Sequence, residues 1–95
     1  MGQDIIPSDQ LKPSVLYRVK SRNMGGVAYW MGKYFVGIRE RAGLRWQAAE
    51  WYMDGSTFGT CAPLEELPEK VPPEGAYNPQ AIFDWLDAME KKYAT

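Results

Sequence analysis

The sequence predicts a mainly β protein with one C-terminal α-helix (α+β), built as a small five-stranded SH3-like antiparallel barrel or meander. Three features support this fold class. Short alternating apolar segments separated by turns fill residues 14–61, prolines and glutamates dominate residues 62–76, and apolar residues recur at helical spacing over residues 78–93. A chain of 95 residues can bury one hydrophobic core, so we expect a single domain over residues 1–95.

Five strands are expected in the first two thirds of the chain, over residues 15–20, 27–31, 34–39, 44–53 and 56–61. Turns rich in glycine, asparagine and aspartate separate them, and Asp54-Gly55 is the strongest short hairpin signal. A two-residue period assigns each of the first four strands an inward face. The inward set comprises Val15, Tyr17, Val19, Val27, Tyr29, Met31, Tyr34, Val36, Ile38, Leu44 and Trp46.

The longest predicted strand carries Trp46 and Trp51 on opposite phases of that period. Either one of them is exposed, or a β-bulge near Ala48-Ala49 returns both to the core, and we favour the bulge. If Trp46 is buried, its replacement by alanine costs about 3–5 kcal/mol, which is comparable with the whole stability of so small a domain.

The segment 62–76 is predicted to be an extended, polyproline-like connector with no core of its own, because prolines interrupt it and four glutamates solvate it. Asn78-Pro79 then begins a helix, with Asn78 as the N-cap and Tyr77 and Ile82 at the spacing of a hydrophobic staple. We expect this helix to pack on one opening of a partly closed barrel. Its apolar stripe consists of Ile82, Phe83, Leu86, Met89 and Tyr93, with Trp85 on the flank.

The residue types present exclude most familiar catalytic and metal sites. The chain has no histidine and a single cysteine, Cys61, which removes the usual zinc ligand sets and the Ser-His and Cys-His nucleophile pairs. We therefore expect no catalytic residue, no metal and no cofactor, with Cys61 as a small buried hydrophobic residue. No segment has the composition of a secretory leader or a membrane span, so we expect a cytoplasmic protein without membrane contact.

The charges divide sharply along the chain. Residues 12–46 hold eight basic residues and one acid, a local charge of +7, whereas residues 47–95 hold nine acids and three lysines, a local charge of −6. The formal net charge of −1 therefore hides a strongly polarised molecule. Surfaces of one sign steer association with the opposite sign, which indicates a binding protein and also favours pairing of two copies into a homodimer.

One outward face combines cations with aromatic rings if the strand phases above hold. Guanidinium groups beside aromatic planes suit phosphates, stacked bases or acidic protein surfaces. The alternative is a set of solvated outer positions, partly covered by the acidic segment or by a second subunit. Arg41 lies in a turn, where a role in solubility alone is slightly favoured. The candidate binding residues are Arg18, Lys20, Trp30, Phe35, Arg39, Arg41 and Arg45.

Three segments, residues 17–23, 36–45 and 58–67, resemble a group of small uncharacterised proteins encoded by bacteriophages and prophages. The resemblance covers about half of the chain, and its motifs are turns flanked by β residues. What it implies is a context rather than an activity. Small phage proteins of this kind often bind a host protein or blunt a defence system inside the bacterial cell.

The polarised surface without catalytic residues favours a non-enzymatic interaction protein that inhibits or redirects a host or defence complex through its basic Arg/aromatic face. An alternative is an anti-defence protein that sequesters a nucleotide signal with the same arginines and aromatics. A third, less favoured possibility is nucleic-acid binding by an SH3-like module, which is opposed by the net charge of −1 and the pI of about 5.4.

Overall fold

The computed structural model describes residues 5–21, 24–52, 60–73 and 78–93. It confirms the predicted fold class, because five strands form one sheet and a single helix follows them. A short 3-10 turn, Ser8–Gln10, precedes the sheet. The strands are β1 (Val15–Ser21), β2 (Val27–Trp30), β3 (Tyr34–Arg41), β4 (Leu44–Tyr52) and β5 (Thr60–Lys70), and the helix is α1 (Pro79–Tyr93).

The five strands close into a ring in the order β1-β2-β3-β4-β5. Successive strands from β1 to β4 are antiparallel, and β5 returns antiparallel to β1. The ring is completed by a parallel contact in which Trp51 faces Thr60 and Tyr52 faces Cys61. The sequence predicts an antiparallel pair here, whereas the structure has a parallel one. The Asp54-Gly55 turn itself lies outside the described residues.

Strand β5 replaces most of the predicted connector over residues 62–76, and that prediction is wrong. Leu67 is buried, and so is Pro63, which faces Val19 of β1. Proline lacks the N–H that a regular ladder needs, but the pairing of β1 with β5 shifts register at two places along the strand. Such irregularities accommodate proline in a strand, so the proline content did not prevent sheet formation.

Two hydrophobic clusters lie on opposite faces of the sheet. The inner cluster fills the ring and includes Tyr17, Trp30 and Phe35. The outer cluster packs α1 against the sheet through Ile82 and Leu86, so the helix covers a face of the ring and does not close an opening as expected. The remaining outer members on the sheet are Leu16, Val27, Tyr29, Ile38 and Leu67.

The predicted inward faces are right for β1 and wrong for β2 and β3, because β2 and β3 are buried on both faces. Val15, Tyr17 and Val19 point inward as predicted, but β2 and β3 have the opposite phase. Trp30 and Phe35 are the inner residues, with ring centroids 4.7 Å apart. Of the residues predicted to be inner here, Met31 is exposed and Tyr34 is half-buried against Trp51. Those that belong to the helix-covered face are Val27, Tyr29, Val36 and Ile38. A strand buried on both faces has no polar side to mark its phase.

The predicted bulge in β4 is absent. The pairing with β3 runs without a shift from Tyr34↔Trp51 to Arg41↔Leu44. Trp46 and Trp51 are therefore on opposite faces, yet both are exposed, at 39% and 63% of their surface. Leu44, predicted to be inward, is 70% exposed. The hydrophobic character of these residues predicts core positions, but the structure places all three at the surface.

The predicted helix start is confirmed. The Asn78 side-chain oxygen accepts hydrogen bonds from the backbone N–H groups of Gln80 and Ala81, at 3.1 and 3.3 Å. These are among the donors that the first turn of a helix leaves unpaired. The staple partner Tyr77 lies outside the described residues.

Candidate binding site

The β3–β4 hairpin extends beyond the rest of the sheet and presents the candidate site. Its two-residue turn consists of Ala42 and Gly43, with φ values of 53° and 81°. Positive φ at both turn residues defines the tight hairpin geometry whose twist matches that of the flanking strands. Beyond Ile38 the hairpin has no regular partner strand, because β2 starts at Val27, but Met24 forms an isolated antiparallel bridge with Arg39.

Two cross-strand pairs place four side chains on one face of this hairpin. Arg39 lies directly opposite Trp46, and Arg41 lies directly opposite Leu44. Opposed residues share a face, and so do residues two apart along a strand. We call Arg39, Arg41, Leu44 and Trp46 the hairpin patch. The guanidinium carbon of Arg39 lies 5.8 Å from the centroid of the Trp46 ring, within cation–π range.

The opposite face of the hairpin is bound to the helix by Arg45. Its guanidinium donates to the carboxylates of Asp87 and Glu90, the latter at 3.3 Å, and lies 3.4 Å from Glu40 and 5.9 Å from the ring centroid of Phe83. The hydrogen bond with Asp87 raises the pKa of Arg45 and lowers that of Asp87. Burial raises the pKa of Glu90 in spite of the nearby arginine. Arg45 therefore anchors the hairpin rather than presenting a free cation.

The other predicted site residues are either buried inside the ring, as Trp30 and Phe35 are, or lie on β1, as Arg18 and Lys20 do. Trp30 and Phe35, predicted to be outward, are buried inside the ring and present no surface to a partner. Arg18 donates to Glu65 at 2.9 Å, and its guanidinium carbon lies 5.6 Å from the Tyr93 ring centroid. Lys20 is exposed on β1 and makes no ion pair with any described residue.

The two oppositely charged segments neutralise each other in part within one chain, through three of the basic residues of segment 12–46. Besides the pairs made by Arg18 and Arg45, the Lys12 ammonium lies 3.3 Å from the Glu66 carboxylate. The complementarity that motivates the predicted homodimer is thus used only in part within the fold, and the homodimer stays a prediction. Among described residues, Arg39 and Arg41 have no carboxylate partner, so the hairpin patch keeps two cations for an external anion.

Sequence reasoning missed Trp46 and Leu44 as surface residues of the site. A signal for them exists in the turn: once Ala42-Gly43 is taken as a two-residue hairpin loop, Arg41 must face Leu44 and Arg39 must face Trp46. The segment 40–43 was predicted as a turn, but without that register. Once the hairpin register is fixed from the turn, the two arginines, Leu44 and Trp46 fall on one face.

Cys61 lies inside the ring with no exposed surface, as predicted. Burial, with a further contribution from the nearby Glu50 carboxylate, raises the pKa of its thiol to about 12. A thiol with this pKa is almost entirely protonated at neutral pH, so it is a poor nucleophile. Within the described ranges, no three cysteine, aspartate or glutamate residues lie close enough to hold a metal ion.

The fold and the hairpin patch together define a small five-stranded β protein with a helix-covered face and a cationic, aromatic surface on the β3–β4 hairpin. Comparison with known proteins found no matching family model, no matching curated protein and no matching solved structure. In the part of the chain that the structure describes, no helix is long and apolar enough to cross a membrane.

Proposed function

We propose that this protein is a non-enzymatic interaction protein that binds an acidic, partly apolar surface of a partner protein through the hairpin patch. The resemblance to small phage proteins suggests the partner: a host or defence complex of a bacterial cell. Binding inhibits or redirects that complex. The observation that carries the proposal is the pairing of two arginines that lack carboxylate partners among the described residues with the exposed Trp46 and Leu44. Arginine and tryptophan are the residues most often responsible for affinity at protein interfaces.

The proposal predicts that binding depends on the charges of the patch and not on net charge in general. The test variant reverses Arg39 and Arg41 to glutamate. A matched control reverses Lys33 and Lys70, two exposed lysines that pair with no described carboxylate and change the net charge equally. Lys33 adjoins the opposite end of β3, about 25 Å from the hairpin turn at the usual rise per residue.

The test is quantitative affinity capture from bacterial lysate, with the parent, test and control proteins as baits. We expect one stoichiometric protein complex that the parent and the control retain and the test variant loses. Recovery of the same complex with all three baits would contradict the proposal. So would repeated failure of the parent to capture any stoichiometric partner.

A nucleotide ligand is the second candidate, because a guanidinium above an exposed indole also suits a phosphate next to a stacked base. Calorimetric titration with a panel of cyclic nucleotides separates the two functions. Heat that disappears in the Trp46→Ala variant supports nucleotide sequestration. No heat from any member of the panel removes that candidate and leaves the protein interaction.

A further inference from the structure

The ring of strands is joined at β4 by a very short contact. β4 pairs with β3 from Leu44 to Trp51, but its other edge pairs with β5 only through Trp51 and Tyr52. No described residue makes a backbone hydrogen bond with residues 44–50 on that edge. Residues 5–14, the described part of the N-terminal segment, bond the backbone of β5 and not that of β4: the Ile6 N–H donates to the Pro63 carbonyl at 2.9 Å.

The hairpin turn determines which backbone groups face this edge. Residues that flank a two-residue turn exchange both of their hydrogen bonds, and bonded and non-bonded pairs then alternate along an antiparallel ladder. Trp46 and Ala48 therefore bond β3, whereas Arg45, Gln47 and Ala49 direct their N–H and C=O groups towards the edge. These three residues supply alternating donors and acceptors over about 14 Å of strand.

The two faces beside this edge differ in chemistry. On the hairpin-patch face, the Arg39 guanidinium reaches over Trp46 and thus carries its charge from β3 to β4, beside the edge. On the opposite face, Ala49 is exposed and Trp51 exposes 63% of its surface. Near Trp46 and Ala49, a strand placed along the edge would meet the Arg39 cation on one side and apolar surface on the other. Further along the second side, Arg45 and Gln47 are held against the helix.

We propose that the edge of β4 accepts an extended segment of the partner as an added strand, with acidic side chains on the hairpin-patch face alternating with apolar side chains on the other. This rests on the proposed function and specifies how the partner binds. Main-chain hydrogen bonds supply affinity, and the alternating side chains fix the register. A second copy is a poorer occupant, because pairing two β4 edges brings two copies of Arg39 and Arg41 onto one sheet.

The probe is a capped six-residue peptide of alternating glutamate and valine, used where it is monomeric. Two companion peptides carry N-methyl groups, one on every glutamate and the other on every valine. Only one of these two sets points its N–H groups at β4 in a given register. We expect the parent peptide to bind, one N-methylated peptide to bind at least about tenfold more weakly, and the other to bind normally. A lysine–valine peptide should not bind.

Amide hydrogen exchange measured by NMR locates the peptide. We expect the amides of Arg45, Gln47 and Ala49 to exchange quickly in the free protein and to become protected by the peptide. The Ala49→Pro variant should keep its fold and lose the peptide, because its N–H is not part of the β3 ladder, while Ala49→Gly should keep both. If Ala49→Pro does not fold, the exchange data and the N-methylated pair carry the test.

The inference is wrong if the glutamate–valine peptide does not bind, if both N-methylated peptides bind equally, or if the three amides stay unprotected. It is also wrong if those amides are already protected and become labile on dilution, which would identify a second copy on the edge. In each case, loss of partner capture by the Arg39 and Arg41 reversals would still uphold the proposed function. Capture that survives those reversals would overturn the proposed function instead.

Discussion

Arg39 and Trp46 are direct cross-strand neighbours on the β3–β4 hairpin, and the guanidinium carbon lies 5.8 Å from the centroid of the indole ring. The pair is partly solvent-exposed, although tryptophan usually buries most of its surface. On the other face of the same hairpin, Arg45 binds the helix carboxylates. The hairpin thus uses one arginine to fix its position, whereas the other two have no carboxylate partner among the described residues.

Trp46 should contribute far less to stability than a residue inside the ring. Trp46→Ala is expected to lower the free energy of unfolding by less than about 2 kcal/mol, because much of the side chain is already in water. Phe35→Ala empties a fully buried site and should cost about 3–5 kcal/mol, enough to unfold much of the protein. Urea titration followed by circular dichroism compares the two. A larger loss for Trp46→Ala would mean that the hairpin patch is core.

This contrast also shows how far the sequence predicts the fold. The locations of β1 to β4, the Asn78 cap and the helix follow from turn residues and periodicity, because these signals are local. The phases of β2 and β3 do not, since both faces are buried and Trp30 resembles its neighbours in hydrophobicity. The fifth strand, predicted over residues 56–61, is found over Thr60–Lys70. This last strand is hidden by Pro63 and Pro68, because its long pairing with β1 joins distant parts of the chain and leaves no local signal.

The candidate site was predictable only in part. The charge pattern locates a cluster of arginines, but it does not reveal which of them meet carboxylates from distant parts of the chain. Arg18 meets Glu65 and Arg45 meets Asp87, and both contacts join residues more than forty positions apart. Arg39 and Arg41 meet no carboxylate among the described residues, and sequence periodicity does not distinguish them from the paired arginines.

The hairpin turn should be stabilised by asparagine at position 42. Ala42 has a φ of 53°, where the alanine Cβ is strained, whereas asparagine tolerates this region and Asn-Gly is the preferred pair for such turns. Ala42→Asn is therefore expected to raise the free energy of unfolding by about 1 kcal/mol. Thermal melting of parent and variant measures the effect. A destabilised variant would show that the turn does not have this geometry.

Acid should weaken the attachment of the helix through Asp87. Its hydrogen bond with Arg45 lowers the pKa of Asp87 below the ordinary 3.8, so the stabilisation is complete above that pH and is lost as the pH falls through the lowered value. Glu90 acts in the opposite direction, because burial raises its pKa above 4.5 and the cost of its charge disappears on protonation.

The test of this linkage is the pH dependence of urea unfolding in the parent and in Asp87→Asn. The parent should lose stability below about pH 4 more steeply than the variant, and the two should converge at the lowest pH. Parallel profiles over the whole range would show that the bond between Arg45 and Asp87 does not contribute to folding.

Cys61 should react with a thiol reagent only when the protein unfolds. The thiol is fully buried and its pKa is raised to about 12, so both access and thiolate are lacking in the native state. Labelling at about pH 8 should be slow in buffer and fast in denaturant. Rapid stoichiometric labelling of the native protein would place Cys61 at the surface and reopen a chemical role for it.

The affinity of the purified partner for variants of the hairpin patch is the most direct measure of the central claim. Reversal of Arg39 and Arg41 to glutamate should weaken binding at least about thirtyfold, since disrupting interfacial charge contacts costs about 2 kcal/mol or more. Reversal of Lys33 and Lys70 should change it by less than about threefold, with both variants folded as the parent. Equal affinity for the parent and the Arg39 and Arg41 reversal would contradict the assignment of the hairpin patch as the binding site.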